Sequence, residues 1–316
     1  MTGDQGAAER RERRDEERLE ELKGTRAESR AAWLLLSPAL LAILLFFGLP
    51  LLAAVALSAT DFDIYAIADP GAVRFVGLGN YWRLMHDPLF WQALRTTLVY
   101  VVLGVPLNLI VALGGALLLN SKRARFRGVL RTIFFAPVVT TLVAAAVVWH
   151  YLYHPRYGLF NHLLGVFGVP PIDWLGRPGW AIVAITLLAV WRSFGYSLVI
   201  YVAGLQAIPT SLYEAAELDG ASAWRQFRDI TLPMLRPTTL FVGVITTVGL
   251  FQVFAEPYVM TRGGPLNATT SVAMLMYQQG FRWWSMGNAA AIAFVLFGMV
   301  LGASALQVAL RRRLER

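Results

Sequence analysis

The chain of 316 residues has no cysteine, two lysines (Lys23 and Lys122) and a charged fraction of 15%. Without cysteine there are no disulfides, thiolate metal sites or cysteine nucleophiles. Neither lysine follows a glycine loop, so no Gly-x-x-x-x-Gly-Lys-Ser/Thr segment exists to cradle phosphates, and ATP cannot be held by that device. Soluble domains carry about 25% charged residues. Here the low charge accompanies 57% hydrophobic residues and a mean hydropathy of +0.54, which excludes an ordinary soluble globule. The same composition excludes disorder for the body of the chain. Histidine is scarce too. His150 and His154 are spaced i, i+4, but no acidic third ligand accompanies them, and with His86 and His162 they read as interface residues.

What is present is long apolar runs separated by short charged clusters. The net charge of +8 lies in those clusters rather than on a folded surface, which argues against a nucleic-acid partner and for the loops of a membrane protein. Residues 1–30 hold eight Arg/Lys and nine Asp/Glu with almost no apolar residue, and read as a solvated cytoplasmic tail. The first apolar run, about 32–58, is too long for the core of a secretory signal and reads as a retained transmembrane helix. Five more segments are long enough to span a bilayer, at about 95–119, 129–152, 179–203, 238–260 and 288–310. Six spans put both termini on one side. The tail, the loops after the second and fourth spans and the C-terminal end hold twenty Lys/Arg, the three remaining loops six. The positive-inside rule therefore places both termini in the cytoplasm. The outer loops carry aromatic groups such as Asn80-Tyr81-Trp82 and Phe281-Arg282-Trp283-Trp284, suited to anchoring helices at the interface or to docking an external partner.

The inner loop at about 205–237 is structured by its own sequence. Ser211 and Glu214 have the spacing of a capping box. Gly220 is placed to stop a first helix in the left-handed conformation. Ser222 is a candidate N-cap for a second helix over about 223–230 that ends near Pro233. Two short helices broken at a glycine make a knob on the cytoplasmic face or an interfacial pair on the headgroups.

Glu214-Ala215-Ala216, then three residues including Asp219, Gly220, nine residues and Ile230-Thr231-Leu232-Pro233 resemble the EAA loop of bacterial ABC importer permeases at every defining position. The chain from about residue 31 to 316 is similar to the carbohydrate branch of that family, the maltose and glycerol-3-phosphate permeases. Phe75 to Tyr81, Ala203 to Pro209 and Met260 to Pro265 carry that similarity. The resemblance implies an all-α integral membrane protein with six transmembrane helices in the type I importer fold and a cytoplasmic coupling helix. It implies a multi-pass subunit of the bacterial inner membrane that is not an enzyme and needs no cofactor. Two separate ATP-binding cassette ATPases, a second permease, an extracytoplasmic solute-binding protein and membrane lipid would be its partners. Glu214, Ala215, Ala216, Asp219, Gly220, Ile230, Leu232 and Pro233 would then couple to the ATPase.

Polar groups inside spans are costly and face a cavity or a partner. Arg192 lies about midway along the fourth span and Glu256 in the fifth. They read either as an interhelical ion pair or as a site for a hydroxyl-rich solute. The resemblance implies a pathway lined by the helices that match these two spans, with Ala189, Arg192, Ser193, Thr246 and the stretch around Gln252 facing it, beside Trp191 and Glu256. Leu250 and Val253 are apolar where the family is polar, so the identity of the solute does not carry over. Asn108, beside Pro106, reads as helix–helix glue. An ion-coupled secondary transporter is the alternative and predicts repeated halves and several intramembrane acids. One acid and no repeat are present. A membrane-embedded enzyme would need clustered catalytic groups at one depth, and none is visible.

Overall fold

The computed structural model describes residues 31–67, 69, 71, 73–121 and 127–314. The tail at 1–30 and the basic cluster at 122–126 lie outside the described residues. Two compact units are distinguished, Met1–Ala56 and Leu57–Arg316. The described part of the first belongs to helix α1 (Ala31–Ser58), apolar throughout. A π-helical turn at Leu44–Gly48 interrupts it, where the Leu49 N–H reaches the Leu44 carbonyl. Pro50, which has no N–H for the Phe46 carbonyl, follows directly.

The second unit is built from α2 (Gly79–His86), α3 (Pro88–Asn120), α4 (Arg127–Val139), α5 (Leu142–Leu152), α6 (Leu159–Val166) and α7 (Pro178–Gln206). It continues with α8 (Thr210–Leu218), α9 (223–234), α10 (Arg236–Phe251), α11 (Ala255–Met260), α12 (Val272–Tyr277) and α13 (Met286–Leu314). Among the described residues the only β pairings are two isolated bridges, Thr60 with Phe75 and Asp63 with Ser285. The long parallel contact of α3 with α7, in which Gly104 meets Thr186, Asn108 meets Ser193 and Gly115 meets Leu198, is the spine; α4 packs on α7, α10 on α3 and α13, and α11 on α5.

Among the described residues, five helices are long and apolar enough to cross a membrane: α1, α3, α7, the stretch Arg236–Met260 and α13. The expected third span is not one straight helix. It is the pair α4 and α5, bent by 103°. Pro137 removes one backbone donor, and four β-branched residues (Val138, Val139, Thr140, Thr141) follow, all weak helix formers. The Thr140 hydroxyl donates to the Ala136 carbonyl at 2.9 Å, and Thr141 turns extended. Pro106 has no such run behind it, and α3 continues through it.

Close approach of α4 and α7 depends on Gly195: a Cβ there would stand 2.3 Å from the Phe134 carbonyl oxygen. Beyond the bend, Trp149, Tyr153, Phe160, Trp174 and Trp191 form an aromatic core, with Trp149 5.4 Å from Trp191. Asn161 ties it to the following loop. Its amide donates to the Pro155 and Ile172 carbonyls, and its oxygen accepts from Trp174 Nε1 at 2.9 Å.

Candidate functional site

The fifth apolar segment breaks between α10 and α11, and that break builds the site. Pro257 has no N–H for the Val253 carbonyl, so the Ser271 hydroxyl donates to it instead. The chain kinks at Gln252–Phe254 and restarts as α11, which turns Glu256 inward to a buried position (5% exposed). Arg192 of α7 meets it, with Nε 3.5 Å from Glu256 Oε1. An ion pair between two helices is therefore present, as one of the two sequence readings expected.

The same pair also lines a cleft of about 260 Å³. Ala189, Arg192, Ser193, Tyr196 and Ser197 line it from α7, Thr246 and Leu250 from α10, and Val253 and Glu256 from the break and α11. Behind this wall Asn108 of α3 is fully buried. Its amide donates to Ser193 Oγ at 2.9 Å, and Thr246 Oγ1 lies 3.5 Å from Asn108 Oδ1. Asn108 thus joins α3, α7 and α10, and fixes two hydroxyls of the cleft. Ser193 Oγ also donates to the Ala189 carbonyl at 2.8 Å. The arrangement offers a guanidinium, a carboxylate, several hydroxyls and the Tyr196 ring to one small polar solute.

Of the residues expected on the pathway, Arg192, Ser193, Thr246 and Glu256 come together in this cleft. Trp191 and Gln252 do not line it. Trp191 points into the aromatic core against Trp149, and Gln252 sits exposed at the kink. Tyr196 and Ser197 were missed by sequence reasoning; Tyr196 lies i+4 from Arg192, so helical periodicity alone would have found it.

The inner loop is a second feature. Helix α8 starts at Thr210 with Pro209 as its N-cap and no side-chain cap, so the expected Ser211–Glu214 capping box does not form. Pro209 fixes the entry two residues earlier than Ser211, which leaves Ser211 inside the first turn. The Glu214 side chain is exposed, and its carboxylate makes no hydrogen bond among the described residues. The helix stops as Gly220 does allow: at φ +72°, its N–H reaches the Glu217 carbonyl, and the Ala221 N–H reaches the Ala216 carbonyl at 2.8 Å. This is a Schellman ending. Ser222 Oγ then accepts from the Arg225 N–H at 3.4 Å and caps α9, as expected. Helix α9 runs past Ile230 to Met234 through a π-helical turn at Phe227–Thr231.

Tyr213 and Ile230 pack against the cluster of Ile208, Leu235 and Val242, and the Tyr213 hydroxyl lies 2.9 Å from Thr231 Oγ1. Leu218 (90% exposed) and Trp224 (66%) project from the outer side. Arg228 pairs with Asp229 at 2.7 Å and holds that carboxyl below the usual carboxylate range. Among the described residues no three His, Asp or Glu side chains converge to hold a metal.

Residues 104–316 match the family of binding-protein-dependent transport system inner membrane components, and the chain belongs to it. It is therefore an ABC importer permease, a non-catalytic subunit whose ATPase is a separate chain. The lactose transport system permease protein LacF of Rhizobium radiobacter is 38% identical over 87% of this chain and 92% of its own length. The trehalose/maltose transport system permease protein MalF of Thermococcus litoralis is 37% identical over 87% and 91%. The arabinooligosaccharides transport system permease protein AraP of Bacillus subtilis is 34% identical over 89% and 88%. In fold the chain is similar to a solved bacterial ABC transporter involved in import of the acidic polysaccharide alginate. The TM-score is 0.74 at 22% identity, covering 92% of this chain and 98% of that one.

Proposed function

We propose that this permease carries a sugar or sugar-like solute, delivered by an extracytoplasmic binding protein, and that the solute passes the cleft at Arg192 and Glu256. The observation that carries this reading is the ion pair itself, set beside the Ser193 and Thr246 hydroxyls in one cleft on a kinked helix. A hydroxyl-rich ligand needs donors and acceptors held in place and a flat face to lie against, and the cleft supplies all three. The substrates named for the relatives (lactose, trehalose/maltose, arabinooligosaccharides) are of the same class.

The permease domain is residues 31–316, with the third span delivered as α4 and α5, and both termini lie in the cytoplasm. A second permease and two ATPases complete the transporter. Glu214, Ala215, Ala216, Asp219, Gly220, Ile230, Leu232 and Pro233 form the coupling loop. Within it Ile230 braces the knob from inside, while Glu214 and the exposed Leu218 and Trp224 face the ATPase. Closure of the ATPases on ATP favours one position of the knob and hence one arrangement of the spans.

Uptake of labelled disaccharides by proteoliposomes holding the whole transporter and its binding protein tests the reading. Uptake is expected to require ATP inside and binding protein outside, and to fall at least tenfold in Arg192→Ala. Uptake driven by an ion gradient without ATP would overturn it.

A further inference from the structure

Asn108 of α3 stands behind the cleft at Arg192, fully buried, while α7 and α10 supply the lining in front of it. What it controls is the direction of two hydroxyls that do face the cleft. A serine or threonine hydroxyl has one proton to give and two lone pairs to receive with. Ser193 Oγ gives its proton to the Ala189 carbonyl, 2.8 Å away and one turn back on α7. It receives the Asn108 amide at 2.9 Å, which leaves it a single lone pair. Thr246 Oγ1 on α10 gives its proton to Asn108 Oδ1, at 3.5 Å, and keeps both lone pairs. Turning the amide over would cost Ser193 its bond to Ala189, because its one proton would then have to meet the Asn108 oxygen. Ser193 and Thr246 therefore reach the cleft as acceptors. On the other side Arg192 has only protons to give, and Glu256 already matches its charge. The cleft is divided: Arg192 donates, and the wall formed by Ser193 and Thr246 accepts.

We propose that Asn108 is a positioning residue for solute selection. By fixing Ser193 and Thr246 as acceptors, it makes the permease choose polyhydroxyl solutes that present a free hydroxyl proton to that wall. An ether, a carbonyl or a fluorine in the same place would leave the wall's lone pairs unpaired in a buried setting. A site built to bond a substrate hydroxyl rejects the analogue that lacks it for this reason. The inference rests on the reading that the solute passes this cleft.

Binding of lactose, maltose and trehalose to the complete transporter, followed by saturation-transfer NMR, tests it. The binding protein is left out so that its own selectivity does not enter. The disaccharide bound best is compared with its monodeoxyfluoro analogues, in which fluorine replaces one hydroxyl at nearly the same size without a proton to give. In the wild type, one analogue or more is expected to bind about tenfold more weakly than the parent. Asn108→Leu is close in size, frees the Thr246 proton and should bring that ratio down to about threefold or less. Thr246→Val removes the acceptor with Asn108 still bonded to Ser193, and should lower the ratio likewise. Thr246→Ser restores the hydroxyl and should restore the ratio. These two variants carry the test should Asn108→Leu fail to assemble. A mere tie between helices would weaken parent and analogues together, and ratios unchanged in Asn108→Leu or Thr246→Val overturn the proposal. So does equal affinity of the wild type for the parent and every analogue. Disaccharide binding that Arg192→Ala leaves untouched would instead remove the cleft from the solute pathway, and this inference with it.

Discussion

Arg192 and Glu256 reach each other from two different helices, Nε to Oε1 at 3.5 Å, across the floor of a cleft that hydroxyl groups also line. Removing one partner leaves the other without its counter-charge. Because 39% of the Arg192 side-chain surface is exposed, Arg192→Ala should cost about 3 kcal/mol, the lower end for broken buried pairs. Replacing both by apolar residues of similar size should recover most of that stability. We therefore expect the double variant Arg192→Met/Glu256→Met to regain the melting temperature of the complex but not its sugar uptake. If uptake returned together with stability, the pair would be a structural tie and not part of the pathway.

Gly195 marks a close approach of α4 and α7. Gly195→Ala would drive a methyl into the Phe134 carbonyl, a backbone atom that cannot swing aside. Overpacking of this kind costs about 1–3 kcal/mol. A melting temperature several degrees lower is expected for Gly195→Ala, and none of that loss for Gly114→Ala, where a Cβ meets nothing within 4 Å. Differential scanning fluorimetry of the assembled transporter compares the two.

The inner loop was legible because its signals are local. Gly220 and Ser222 each act within four residues of themselves, so the Schellman ending and the cap could be read from sequence. The start of α8 could not, because Ser211 carries a capping hydroxyl and yet the helix begins two residues before it, at Pro209, with no side-chain cap. The bend between α4 and α5 shows the same limit. Pro106 and Pro137 look alike in sequence, and only the β-branched run after Pro137, with space for α5 to turn, makes one of them a break. In the cleft the chemistry of Arg192 and Glu256 was readable, but their meeting depends on the kink at Gln252, where the Val253 carbonyl that Pro257 leaves free is satisfied by the Ser271 hydroxyl, eighteen residues further on.

The Tyr213 hydroxyl holds α8 to α9 through Thr231, across the glycine that separates them. Tyr213→Phe keeps the ring in its apolar contacts and removes only this bond, a net loss of about 0.5–1.5 kcal/mol. The expected result is normal assembly with reduced binding-protein-stimulated ATPase activity, since the two halves of the knob then move less as one body. Thr231→Val should reproduce the defect, and adding it to Tyr213→Phe should not deepen it.

Glu214 separates a structural role from a coupling one. It caps nothing: α8 begins at Pro209 and Thr210, and the carboxylate is exposed without a partner among the described residues. Neither Glu214→Gln nor Glu214→Ala should therefore disturb the helix, alanine being the better helix former. If the carboxylate meets a basic group of a docked ATPase, both substitutions remove the same charge and should lower stimulated ATPase activity by similar factors. Gly220→Val acts differently. It forces a β-branched residue to φ +72°, so α9 is misdirected and the ATPase should be lost from the complex altogether. Pull-down of the ATPase, with stimulated hydrolysis measured on the same samples, distinguishes the three variants. Full stimulation in Glu214→Gln would remove the charge from the coupling account, and retention of the ATPase by Gly220→Val would remove the geometry of the knob from it.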